Sequence, residues 1–113
     1  METKPVIAAL AALAQESRLA VFRLLVEVGP AGIAAGQIAE RLGVAPSSLS
    51  FHLKELTHAG LITARQESRF VIYAANYATM AGLMAYLTEN CCGGNPCVPT
   101  CTSECSTTEE NPS

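Results

Sequence analysis

The chain has 113 residues, half of them apolar and 15% charged, with seven Lys and Arg against ten Glu, five Cys, no Asp and no Trp. That length argues for one domain with a modest core, small enough that dimerisation would help its stability. No uninterrupted apolar run approaches the roughly 20 residues of a membrane span. Met1–Leu13 also lacks the basic start and cleavage site of a secretory signal, so no membrane role is expected and the cytoplasm is the default location.

The averages conceal a division. Residues 1–88 carry seven basic and six acidic groups, a net of +1, whereas residues 89–113 carry four Glu and no Lys or Arg, a net of −4. All five cysteines fall between Cys91 and Cys105. The expected organisation is therefore a folded body, 1–89, and a Cys-rich tail, 90–113. The net charge of −3 does not exclude nucleic acid, because local basic groups make phosphate contacts.

Lys4–Gln15 reads as a short Ala/Leu-rich helix with Pro5 near its start, where a missing N–H costs little. Its apolar stripe would be Val6, Ile7, Leu10 and Leu13. A second helix opens near Ser17 and runs through Val28, with Leu19, Phe22, Leu25 and Val26 inward, and Gly29-Pro30 stops it. Gly36–Leu42 is a shorter helix with Ile38, Ala39 and Leu42 as its stripe, ended by Gly43. Pro46–His58 follows, with Leu49, Leu53 and Leu56 buried and Gly60 beyond its end.

Two short helices joined by Gly43-Val44-Ala45 make a helix-turn-helix pattern. The period then changes. Leu61–Arg65 and Phe70–Ala74 are rich in Ile, Val, Phe and Tyr and are separated by the polar Gln66-Glu67-Ser68, a β-hairpin signature. Asn76 can cap a last helix to about Thr88, with Tyr77, Met80, Leu83, Met84 and Leu87 along one side. The expected fold is mostly α with a β-hairpin wing, a winged helix-turn-helix in the order α-α-α-α-β-β-α.

In such a fold the second helix of the pair lies in the major groove of DNA and presents polar residues near its start. Ser47, Ser48, Ser50, Phe51, His52 and Lys54 are the candidates on that helix, with Arg65 and Arg69 flanking the wing tip. Serine hydroxyls suit several bases or phosphate, and Lys54 suits phosphate. Plainer roles compete with these. Ser47 could be a helix cap, His52 a packed and hydrogen-bonded histidine, His58 a favourable cation at a helix end, and Arg65 and Arg69 solvated charges. Phe51, an exposed aromatic, needs a partner: a thymine methyl group or the wing.

The run "SSLSFHLKELTHAGLITARQESRFVIYAA" resembles the recognition helix and wing of the ArsR/SmtB family of metal-responsive repressors. The matching skeleton is Ser50-x-His52-Leu53-x-x-Leu56, then Ala59-Gly60-Leu61-Ile62, Arg65 and Tyr73, within a likeness that spans residues 5–88. Two departures stand out: Phe51 where the family often has a basic residue, and Ala45-Pro46 where it often has Ser-Gln. The resemblance implies a homodimer through the first and last helices, which fits the apolar faces of Val6–Leu13 and Tyr77–Leu87. Such a dimer would read a near-palindromic operator with half-sites about 34–36 Å apart.

The tail, Gly/Pro/Ser/Thr-rich with Val98 as its one large hydrophobe, reads as disordered until something organises it. A disulfide framework does not suit an odd count of thiols without a signal peptide. Thiolate ligation or redox sensing remains. The spacings are adjacent, five, four and four, with no CxxC pair of the kind that favours tetrahedral zinc. Cys91-Cys92, followed by Gly93-Gly94 and Pro96, can bring Cys97 to the same centre. Three thiolates around one ion suit trivalent arsenic or antimony.

The resemblance sharpens this. "GIAAGQIAERL" lacks the cysteines of one arsenic site of the family, and "NYATMAGLMAYL" lacks the ligands of its zinc site. "LTENCCGGNPC" resembles an arsenic-responsive subgroup with a CC…C triad after the last helix. The implied ligands are Cys91, Cys92 and Cys97, with Cys101 and Cys105 as extras. A repressor released by trivalent arsenic is the expectation. Rivals are a cadmium, lead or mercury sensor, a thiol redox sensor, and a thiolate protein that sequesters metal. No Gly-rich nucleotide loop or acid/base pair suggests an enzyme.

Overall fold

Pro5 lies in the first turn of helix α1 (Thr3–Leu13), in a computed structural model that describes residues 1–89. A helix leaves its first four N–H groups unpaired, so proline is tolerated there. The inward edge of α1 is Val6, Ala9 and Ala12, while Ile7 and Leu10 are 59% and 41% exposed. This corrects the expected stripe. A helix apolar on every side carries no periodic signal, and its small alanines let α1 lie close against its neighbours.

Gln15 caps helix α2 (Glu16–Val28) by accepting a 2.8 Å hydrogen bond from the Arg18 N–H. The helix buries Val21, Phe22 and Leu25 and leaves Leu19 exposed, where an inward Leu19 was expected. Beyond Gly29 the chain forms a two-residue strand, β1 (Ile33–Ala34), which the sequence reading lacked. Gly32 makes that strand fit: its φ is +73°, and a Cβ there would collide with the Tyr73 carbonyl oxygen.

Helix α3 (Ala35–Leu42) starts with the Gln37 side chain accepting from the Ala34 N–H at 3.3 Å and ends at Gly43, left-handed at φ 65°. Only Ile38 of α3 is fully buried. Helix α4 (Pro46–His58) has the expected limits and buries the expected Leu49, Leu53 and Leu56. Together α3 and α4 form the helix-turn-helix.

Strands β2 (Ile62–Glu67) and β3 (Phe70–Ala75) form the antiparallel hairpin, and β1 joins the far edge of β3 to give the order β1-β3-β2. Gln66 and Glu67, expected in the turn, instead pair with Val71 and Phe70. The turn contracts to Ser68-Arg69, with Ser68 at φ 60°, the positive φ that two-residue hairpin turns require.

Helix α5 (Tyr77–Leu87) is capped by Asn76, whose side chain accepts from the Thr79 N–H at 3.2 Å. Tyr77 ties it to α2 by donating to the Val26 carbonyl at 3.0 Å. Thr3 and Tyr86 hydroxyls lie 2.6 Å apart and join α1 to α5. Leu83 is buried, but Met84 and Leu87 remain 56% and 58% exposed. The core unites α1, α2, α4 and α5 with Ile38, Leu61, Ile62 and Ala75. Among the described residues no single helix is long and apolar enough to cross a membrane.

Candidate nucleic-acid interface

The three leucines of α4 face the core, so the rest of that helix's surface turns outward. Ser47, Ser48, Ser50, Phe51 and Lys54 are all exposed there. Pro46 occupies the start of the helix and Ala45 is its N-cap, with no side-chain cap hydrogen bond. Ser47 is therefore not the cap, and its hydroxyl stands within the first turn beside those of Ser48 and Ser50.

His52 has an intrachain hydrogen-bond partner. It is half-buried, and its Nδ1 accepts from the Arg18 Nε at 3.4 Å. Phe51 is 53% exposed, and its ring partners within the chain come from α2 and α4, not from the wing. The Arg18 guanidinium lies 5.5 Å from its ring centroid, and the His52 ring meets it edge-on at 6.0 Å. His58 is exposed in the last turn of α4.

Arg65 and Arg69 behave differently from each other. Arg65 donates from Nε to Glu67 at 2.6 Å and from a terminal nitrogen to the Ala31 carbonyl at 2.7 Å. It thereby braces the hairpin against the loop between α2 and β1. Arg69 is exposed in the hairpin turn, beside Phe70, which is 57% exposed.

Arg18 is the residue that the sequence reading missed. It belongs to the first turns of α2, 34 residues before its partner His52, and no local pattern announces the contact. With Glu55, His58, Ala59 and three alanines of α1 it lines an open cleft of about 360 Å³ between α1, α2 and α4. Cys91, Cys92, Cys97, Cys101 and Cys105 lie outside the described residues. Among the described residues, no three His, Cys or Glu side chains are grouped so as to hold a metal ion.

Residues 13–65, from the end of α1 into β2, match a family model described as a helix-turn-helix domain. The chain is 38% identical over 58 residues to an uncharacterised HTH-type transcriptional regulator, YceK, of Bacillus subtilis, and that match spans 51% of this chain and 57% of the relative. The chain thus covers little more than half the length of this curated relative. Among solved structures it is similar to a "possible transcriptional regulator for arsenical resistance", at 30% identity and a TM-score of 0.61 over 70% of this chain and 79% of that one. It is also similar to the homodimeric winged helix-turn-helix DNA-binding domain Mb0332 of Mycobacterium bovis, described as a possible ArsR-family regulator. That likeness has 27% identity and a TM-score of 0.61, over 77% of this chain and 81% of that one.

Proposed function

We propose that this winged helix-turn-helix chain is a dimeric transcriptional repressor of the ArsR type, which holds operator DNA and releases it when trivalent arsenic or antimony binds Cys91, Cys92 and Cys97. The observation that carries the DNA reading is α4: a helix anchored by three buried leucines that turns three serines and Lys54 outward, next to a hairpin tipped by Arg69. Serine hydroxyls and His52 would meet base edges or phosphates, Lys54 and Arg69 phosphates, and Arg65 would fix the attitude of the wing.

Dimerisation is supported by the apolar side chains that α1 and α5 leave in water. Ile7, Leu10, Met84 and Leu87 are each more than two-fifths exposed on helices joined by the Thr3–Tyr86 hydrogen bond. A second copy is the proposed cover, in line with the homodimeric relative. Two-fold symmetry would then present two α4 helices to a near-palindromic site.

The metalloid reading rests on thiol chemistry. Every cysteine of the chain falls in 91–105, and soft thiolates select soft ions. Only three residues separate the end of α5 at Leu87 from Cys91, so gathering the thiolates would act on the helix that covers the dimer contact. To pass from about 1% to 99% released, the ligand must favour the DNA-incompetent state by ~5.5 kcal/mol.

The test is DNA release followed by fluorescence anisotropy, with arsenite, antimonite, cadmium, zinc and peroxide added in turn. Arsenite or antimonite should release the wild type and leave the Cys91→Ser/Cys92→Ser/Cys97→Ser variant on DNA. Release of that variant by arsenite refutes the triad. Release by peroxide alone makes the chain a redox sensor, and release by cadmium alone makes it a divalent-metal sensor.

A further inference from the structure

We infer that Arg18 is a phosphate contact of the DNA interface, held ready for that contact by Phe51 and His52 of α4. The inference rests on the DNA reading above and deepens it by assigning a contact that comes from outside the helix-turn-helix pair.

The exposed face of α4 is short of positive charge. Lys54 is its one Lys or Arg, and an aromatic ring occupies position 51. Arg18 brings a cation to that spot from α2. Its guanidinium lies over the Phe51 ring at 5.5 Å, while Nε donates to His52 Nδ1 at 3.4 Å. A guanidinium carries five N–H donors, and the His52 contact occupies the one on Nε. The two terminal NH2 groups remain for a ligand. Among the described residues no carboxylate pairs with Arg18; the one ion pair there is Arg65 with Glu67.

The arrangement has the features of a prepared anion contact. A planar fork of N–H groups matches phosphate oxygens two at a time, which an ammonium does not. The cation–π contact with Phe51 and the hydrogen bond to His52 hold the fork in place beforehand, so less side-chain freedom is lost when DNA arrives. The location also fits. Phe51 and His52 lie in the second turn of α4, next to Ser47 and Ser48. The DNA backbone that borders a major groove passes a helix lying in that groove, and contacts to it set the protein's register. Phe51 is then a positioning residue: its exposed face is the shelf for the cation. The alternative is a strut, in which Arg18 only fastens α2 to α4.

Phosphate contacts are independent of sequence, so the test needs no operator. The full chain is titrated against a fluorescein-labelled DNA duplex of mixed sequence, about three helical turns long. Affinity is measured between about 50 and 200 mM salt, where each lost phosphate contact lowers the log–log salt slope by about 0.9. Arg18→Ala should lower the slope by about 1.8 for a dimer, so that the variant loses roughly tenfold less affinity than wild type across that range. Arg18→Lys should keep the wild-type slope with weaker binding, and Phe51→Leu should also keep the slope while weakening binding.

An Arg18→Ala protein that binds more weakly with an unchanged slope makes Arg18 a strut and overturns the inference. If Arg18→Ala does not fold, as judged by its thermal transition, Arg18→Gln serves the same comparison. Phe51→Leu binding as tightly as wild type removes the positioning role. Wild type that leaves the duplex free at the lowest salt overturns the DNA reading and this inference together. Wild type that binds, with Arg18→Ala indistinguishable from it, overturns this inference alone.

Discussion

Helices α4 and α1 use their large apolar residues in opposite ways. In α4, Leu49, Leu53 and Leu56 are all at most 3% exposed, and the outward face is polar apart from Phe51. In α1 the buried positions are Val6, Ala9 and Ala12, and the larger Ile7 and Leu10 are left outside. Helix α5 resembles α1, with Leu83 in and Met84 and Leu87 out. Large apolar side chains left exposed on a small domain mark a contact with another apolar surface, whereas a polar face around one aromatic ring suits a hydrated partner. The contrast divides the molecule into a face suited to hydrated, charged DNA and a face suited to another protein surface.

The largest expected effect tests the first half of that contrast. Leu56 is fully buried, and Leu56→Ala should cost about 2–5 kcal/mol through lost contacts and a residual cavity. Against a total stability of about 5–15 kcal/mol, that is a large fraction. Ile7→Ala should leave the unfolding free energy of the dilute monomer within about 0.5 kcal/mol of wild type. Denaturant unfolding at low protein concentration measures both. An Ile7→Ala loss as large as that of Leu56→Ala would mean that α1 buries both of its sides in one chain.

The second half is tested by charge. Ile7→Glu or Leu87→Glu places a carboxylate on the proposed contact face without touching the core. Either should weaken the dimer at least tenfold, about 1.4 kcal/mol or more, with far-ultraviolet circular dichroism unchanged. Sedimentation velocity over a dilution series reads the shift. Binding to a two-half-site duplex should weaken in parallel, because one chain brings a single α4. A variant that stays dimeric would move the interface away from α1 and α5.

Where the sequence was readable follows the same contrast. Pro46 at the start, leucines at 49, 53 and 56, and the turn at Gly43 made α4 legible to the residue, because polar and apolar positions alternate with the period of the helix. Asn76 marked α5 for a similar reason, having one strong local job. In α1, by contrast, nearly every position is apolar, so several stripes fit equally well and packing chose the one with the smallest side chains. Strand β1 has two residues and no period at all. Gln66 and Glu67 looked like turn residues because polar side chains suit a wing exposed to solvent, yet their backbones pair fully. Of the candidate site, the outward residues of α4 were legible. The Arg18–Phe51–His52 cluster was not, since it joins two helices remote in sequence.

The smallest expected effect separates the two arginines of the wing, where the contrast between structural and DNA-facing residues is closest. Arg65 and Glu67 are 46% and 56% exposed, so their ion pair contributes about 0–1 kcal/mol once solvent screening is allowed for. The hydrogen bond to the Ala31 carbonyl adds about 1 kcal/mol at most in such an exposed setting. Arg65→Ala should therefore cost about 1 kcal/mol in all and lower the thermal midpoint by about 4–8 °C in a domain this small. It should leave the salt slope of DNA binding near the wild-type value, because the Arg65 charge is already paired with Glu67 and a second nitrogen is held by the Ala31 carbonyl. Arg69→Ala should do the reverse, keeping the midpoint and lowering the slope by about 0.9 per protomer. If Arg65→Ala lowers the slope as much as Arg69→Ala, Arg65 leaves Glu67 and Ala31 when DNA arrives, and the wing moves on binding instead of meeting DNA as a fixed brace.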